Sequence, residues 1–161
     1  MTADAGPVRF PLRDPAALIA TCFGVGFVRW APGTVASALA LPLAWLLRSY
    51  IGALGLAIAT LAVIALGIWA AGRYERRTGE RDSSAIVIDE VAGQWIAVLL
   101  APPTIAAYAV GFVLFRLFDV VKPWPIGLLD RRVKGGLGVM LDDVIAGIFA
   151  AILLWNVWIW L

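Results

Sequence analysis

The sequence predicts an all-α membrane bundle, with an N-terminal arm over residues 1–14 and a single domain over residues 15–161. Three observations carry this reading. Of 161 residues, 62% are hydrophobic, where a soluble domain is nearer half apolar, and the mean hydropathy is +0.91. The excess is gathered in about five long apolar runs, near 34–47, 51–72, 86–101, 104–118 and 139–161. None of these runs alternates apolar and polar as a half-buried strand would, and a bilayer accepts only helices or closed barrels.

The elements follow in order. Pro15 suits the first turn of a short amphipathic helix, "AALIATCF". A Gly/Pro-rich loop, "GVGFVRWAPGT", leads to the first apolar run, with Pro-Gly as a turn and Thr34 as an N-cap. Arg48-Ser49-Tyr50 separates the first two runs, and "RYERRTGERDSS" forms a polar loop over 73–84. Pro102-Pro103 separates the third and fourth runs, because proline disrupts a helix interior. A basic loop over 122–136 precedes the final run. Fifteen helical residues rise only ~22 Å against a ~30 Å hydrocarbon core, so some runs are short for a full crossing.

Composition narrows the chemistry. With no histidine, the commonest general base and imidazole metal sites are absent. Cys22 stands alone, so no internal disulfide forms, and six residues separate it from Arg29, one too many for the Cys-x5-Arg phosphatase spacing. Cys22 is read as packing. The net charge of +2 points to basic loops on one side of a membrane, with no nucleic-acid partner. No cleavable signal peptide is expected in the first ~15 residues.

The basic residues orient the bundle. Arg73, Arg76, Arg77 and Arg81 share one loop, and Lys122, Arg131, Arg132 and Lys134 share another. The connections at 48–50 and 101–104 hold only Arg48. The positive-inside rule places the two basic loops and the N-terminus in the cytoplasm, giving two hairpins and a final helix. Trp155 to Leu161, with three tryptophans, then meets the far interface.

This topology gathers five carboxylates at one cytoplasmic-facing level: Asp89 and Glu90 opening the third run, Asp119 ending the fourth, and Asp142 and Asp143 opening the last. A charge deep in a membrane helix costs ~2.5–3.5 kcal/mol on insertion scales. Five acids repel one another unless cations join them. Arg116 and Lys122 supply part of that charge, and a hard divalent ion such as Mg²⁺, which prefers carboxylate and water oxygen, could supply the rest. Arg116, Asp119 and Lys122 recur every three residues on one helix face, which an intrahelical ion-pair ladder would also explain. Asp142 and Asp143 lie about 100° apart on a helix, and acids at an N-terminus also complement the macrodipole. Gly135, Gly136 and Gly138 could present backbone N–H groups to a phosphate, or simply form a turn. Thr34 could donate to a phosphate oxygen.

Four blocks carry a family resemblance: "GVGFVRWAPGTVAS" (24–37), "DSSAIVIDEVAGQWIA" (82–97), "FRLFDVVKPWPI" (115–126) and "DRRVKGGLGVMLDDVIAG" (130–147). They cover most of residues 20–150, and the chain resembles the phosphatidylglycerophosphatase A family of bacterial membrane lipid phosphatases. The family pattern also carries Asp82. Ala36 stands where the family often has Gly, and Ser83 where it often has Pro. The resemblance implies an all-α, Mg²⁺-dependent phosphomonoesterase. Its substrate would be phosphatidylglycerophosphate, hydrolysed to phosphatidylglycerol and phosphate on the route to phosphatidylglycerol and cardiolipin. It also implies a multi-pass protein of the bacterial inner membrane with its site facing the cytoplasm. On this reading Asp142, Asp143 and Asp89 or Glu90 hold the metal, and Asp119 is a further ligand or the base for water. Arg116 and Lys122 clamp the phosphate, and Thr34 with the backbone of Gly135 and Gly136 orients it.

Three other functions fit less well. An ion or proton transporter would spread its acids through the membrane depth. A CDP-alcohol phosphotransferase would need a spaced aspartate motif that is missing. A non-enzymatic scaffold leaves the acids without a purpose.

Overall fold

The computed structural model describes residues 14–159, excepting the side chains of residues 130, 158 and 159. The expected arm of residues 1–14 therefore lies, up to residue 13, outside the described residues, as do residues 160–161 and the side chain of Trp158 from the expected tryptophan belt. Six α-helices make up the described fold: α1 (Pro15–Ala20), α2 (Pro32–Thr78), α3 (Ile88–Val98), α4 (Ile105–Val121), α5 (Ile126–Arg132) and α6 (Gly136–Ile159). There is no strand among the described residues.

The first two apolar runs form one element, α2, interrupted at Gly52, which takes φ 70° and ψ −173°. Only glycine adopts that conformation readily. The packing shows that α2 doubles back there. A Cβ on Gly33 would strike the carboxylate of Glu90, and one on Gly67 would touch Ile88, so residues 34 positions apart both reach the first turn of α3. A straight helix would separate them by about 50 Å. Between these points the Trp95 indole N–H donates to the Ala40 carbonyl at 2.9 Å. Ala40, Ala44 and Leu56 pack with Trp95, Val98 and Tyr108 near the other end of α3.

α3 and α4 form a second hairpin through the turn at Pro102-Pro103. A Cβ on Gly93 would meet the Phe115 ring, and one on Gly111 would meet Val98. α6 runs in the same direction as α3, since Gly147 abuts the backbone of Gly93 while Leu154 joins Val98. α1 fits its alanine face, Ala16, Ala17 and Ala20, against Ala70, Ala71 and Tyr74. Asp14 caps it by accepting from Ala16 N–H at 2.8 Å and pairs with Arg77.

The structure refines the sequence expectation in several places. Among the described residues two helices are long and apolar enough to cross a membrane, α2 and the 136–157 part of α6, whereas about five apolar helices are expected from the sequence. α3 has 11 residues and α4 has 17, rising about 16 and 25 Å, short of a ~30 Å core. The 73–84 segment is helical as far as Thr78, where Gly79, in the left-handed region at φ 74°, closes the helix. The 122–136 loop contains α5. Thr34 is not an N-cap: Ala31 holds that position at φ 45° and Pro32 takes the first helical turn, where its missing N–H costs nothing.

The α3–α6 approach tolerates no side chain. An alanine at Gly147 would overlap the Gly93 carbonyl, and backbone cannot rotate away. Gly147→Ala is expected to destabilise the fold by about 1–3 kcal/mol. A fall of several degrees in the thermal midpoint in detergent is the readout.

Candidate functional site

Each acid is placed by the end of a helix. Asp89 and Glu90 occupy the first turn of α3, where carboxylates complement the helix dipole. Arg116 and Asp119 lie in the last turns of α4. Lys122 follows as its C-cap in the left-handed region, φ 44° and ψ 56°, before Pro123 stops the helix. Asp142 and Asp143 lie near the start of α6, and only 7% and 3% of their surface is exposed.

Asp89, Glu90 and Asp143 each present a carboxylate oxygen to one centre, with these atoms all within 4.8 Å of one another. Asp89 Oδ1, Glu90 Oε2 and Asp143 Oδ2 are buried with no hydrogen-bond partner among the described residues. At an effective dielectric of 20, two ionised carboxylates at that spacing repel by about 3–4 kcal/mol. The neighbouring cations are engaged by other acids. Arg116 Nη1 lies 2.5 Å from Asp119 Oδ2. The Lys122 ammonium donates to Asp142 Oδ2 at 2.6 Å. Arg116 also acts electrostatically on Glu90, and protons or a further cation would offset the rest of the trio's charge. An all-oxygen set with orphaned, buried lone pairs suits a hard divalent ion such as Mg²⁺.

Asp119 lies close enough to both Glu90 and Asp143 for their charges to interact. Six charged residues from the sequence reading, Asp89, Glu90, Arg116, Asp119, Lys122 and Asp143, thus meet at one end of the bundle, with Asp142 held beside them through Lys122. Thr34 sits one residue beyond Gly33, which touches Glu90.

Gly135 and Gly136 lie elsewhere. Gly136 is packed against the Ile68 carbonyl and Gly72. Gly135 lines an open groove of about 560 Å³ with Arg76, Arg81 and Lys134, which contains none of the acid trio. Asp82 lines the same groove. Its side chain is exposed and its N–H donates to Glu75 Oε1 at 2.8 Å.

The sequence reading missed the residues that permit this convergence. Gly33 gives room to Glu90, and Gly93 lies against the Asp143 carbonyl. Part of the signal was present: Gly93 lies three residues after Glu90, and Gly33 lies beside Thr34. Gln94, one helical turn along from Glu90, was also missed. It is fully buried with neither amide atom partnered among the described residues, a costly state that the sequence pattern did not flag.

Cys22 plays no part in this centre. Burial, together with the nearby Glu90 charge, pushes its thiol up to about 12, so the nucleophilic thiolate is scarce at neutral pH. Alkylation of Cys22 should be negligible near neutrality and rise only as pH approaches that value. Cys22→Ala should keep hydrolytic activity within about twofold, since a thiol buried this way acts as a small apolar group.

Comparison with known proteins matches the phosphatidylglycerophosphatase A family over residues 18–158. The chain is 35% identical to Escherichia coli phosphatidylglycerophosphatase A over 149 residues, covering 92% of this chain and 86% of that protein. It is 34% identical to the Haemophilus influenzae protein of the same name over 163 residues, covering 100% and 99%. A Bacteroides thetaiotaomicron protein, provisionally named a phosphatidylinositol-3-phosphatase, is 42% identical over 145 residues, covering 85% and 89%. No solved structure gives a significant match.

Proposed function

The chain belongs to the phosphatidylglycerophosphatase A family, and from that premise we propose that it hydrolyses phosphatidylglycerophosphate to phosphatidylglycerol and inorganic phosphate at the acid centre. The observation that carries this reading is the convergence of Asp89, Glu90 and Asp143 within 4.8 Å, beside Arg116 and Lys122. Hydrolysis of a phosphomonoester needs charge neutralisation and positioning more than covalent chemistry.

Asp89, Glu90 and Asp143 would hold Mg²⁺. When bound, the ion supplies positive charge to the phosphate oxygens and acidifies water. Arg116 and Lys122 would offer positive charge and hydrogen bonds to the phosphate oxygens. Asp119 accepts a proton from the attacking water as the new P–O bond forms. The bond from phosphorus to the glycerol oxygen breaks, that oxygen takes a proton from solvent water to leave as the lipid alcohol, and Asp119 returns the proton it accepted to solvent. Asp142 fixes the Lys122 ammonium through their 2.6 Å contact. It acts through Lys122, whereas the sequence reading made it a metal ligand.

The placement of the chain in a membrane follows the same reading. α2 and α6 carry the apolar length, with α3 and α4 as shorter hairpin arms between them. The basic residues Arg73, Arg76, Arg77, Arg81, Arg131, Arg132 and Lys134 lie at the acid end, so the positive-inside rule turns this end to the cytoplasm of a bacterial inner membrane. A lipid phosphomonoester on that leaflet presents its phosphate at this level, as synthesis of phosphatidylglycerol requires.

Phosphate release from phosphatidylglycerophosphate in detergent micelles is expected with Mg²⁺ and not with EDTA. Asp143→Asn should lose roughly 10²–10³-fold or more, as a residue acting directly on charge. Asp142→Asn, acting through Lys122, should lose roughly 10–100-fold. Faster release from phosphatidylinositol 3-phosphate would transfer the substrate assignment to that lipid. Metal-dependent ion flux without phosphate release would support the transporter alternative instead.

A further inference from the structure

The loop between α1 and α2 is unusual for a segment beside a charged centre. Phe23, Phe27 and Trp30 are 83%, 52% and 79% exposed. Residues 21–31 contain no acid and one cation, Arg29, which is also exposed. Across the centre, the α4–α5 turn presents Trp124 at 81% exposure, with Arg131 and Arg132 exposed on α5.

Chain geometry fixes where these groups sit. Trp30 lies three residues before Gly33, which abuts the Glu90 carboxylate. Trp124 lies two residues after Lys122, which holds Asp142. Glu90 also feels Arg116 and Asp119 on α4. The start of α2 and the end of α4 therefore flank Glu90, and each carries an exposed tryptophan. Trp30 also immediately precedes a helix apolar enough to enter the bilayer.

Burying an aromatic ring releases free energy, and leaving three this exposed in water forfeits it. Tryptophan carries an apolar body and one N–H donor, the pairing that favours the headgroup level of a membrane. Arginines among the rings, with no acid on the 21–31 loop, add complementarity to an anionic leaflet.

We infer that Phe23, Phe27, Trp30 and Trp124 form an interfacial rim that seats in the anionic phospholipid leaflet and delivers the substrate sideways from that leaflet to the acid centre. The inference rests on the lipid phosphatase reading. It adds that the substrate is taken from the plane of the membrane between the start of α2 and the end of α4. These aromatics are positioning residues and do not touch the reacting phosphate.

Two measurements on the full chain in anionic vesicles test it. In the first, Trp30→Ser/Trp124→Ser is assayed on vesicle-embedded phosphatidylglycerophosphate and on a short-chain form kept monomeric in water. The vesicle reaction should fall roughly tenfold, through KM expressed as surface concentration, and the monomeric reaction should stay within about twofold. Tyr50→Ser, 81% exposed at the opposite end of the bundle, should change neither. Equal losses on both substrates, or no loss on either, would overturn the rim. In the second, Trp30→Phe/Trp124→Phe is compared with wild type in lipids brominated near the ester or near the chain end. The variant should lose fluorescence that shallow bromines quench and keep the deeply quenched fraction. An unchanged shallow fraction would overturn the rim. If wild type hydrolyses neither substrate, the phosphatase reading fails, and the quenching result alone decides the rim.

Discussion

Mutual repulsion among buried carboxylates is the constraint around which the rest of this structure is arranged. Three acids from two helices converge within 4.8 Å, Asp143 buried and Asp89 and Glu90 partly so, and each pair costs about 3–4 kcal/mol if ionised at an effective dielectric of 20. A fold that merely needed stability would have put apolar side chains there. The backbone is instead shaped to bring the acids closer. Gly33 lets α2 press against Glu90, and Gly93 with Gly147 lets α6 lie on α3 until Asp143 reaches Asp89. Larger residues at these positions would relieve the repulsion by holding the helices apart. The glycines therefore belong to the site as much as the acids do.

The surrounding pairs make sense as a second layer. Arg116 is engaged by Asp119 and Lys122 by Asp142, so acids outside the trio orient both cations. Lys122 is held in the left-handed region at a helix end, a conformation that non-glycine residues adopt only when their surroundings demand it. Its strain fits a residue whose position matters more than its comfort. The acid end also carries the basic loops and the exposed aromatics, so chemistry, orientation and contact with the lipid all fall at one level of the bundle.

Much of this was legible in the sequence. Apolar runs marked the helical segments, and the positive-inside rule put Asp89, Glu90, Asp119, Asp142 and Asp143 at one end. Charge sorting works because the membrane penalises misplaced charge strongly. Several features were not legible. Hydropathy read the two arms of α2 as two runs but put the break at Arg48–Tyr50, whereas the chain doubles back at Gly52, and it cannot see that α3 stops at 11 residues. The helical end of α2 through Arg73–Thr78 looked like a loop because its residues are polar. Roles within the acid group depend on which oxygens face one another. Adjacent residues such as Asp142 and Asp143 differ by about 100° of helix rotation, and only packing decides that Asp143 joins the trio while Asp142 meets Lys122. Gln94 is fully buried, and its isolation is a property of three-dimensional neighbours alone.

The central claim is that the trio exists to share one divalent cation. Titration of the detergent-solubilised protein with Mn²⁺, read by the electron paramagnetic resonance of free ion, tests it without reference to turnover. One tight site is expected in wild type. Asp89→Asn, Glu90→Gln and Asp143→Asn should each weaken that site roughly tenfold or more, while Asp82→Asn in the outer groove should leave it intact. Unchanged Mn²⁺ affinity after neutralising all three acids in folded protein would contradict the account.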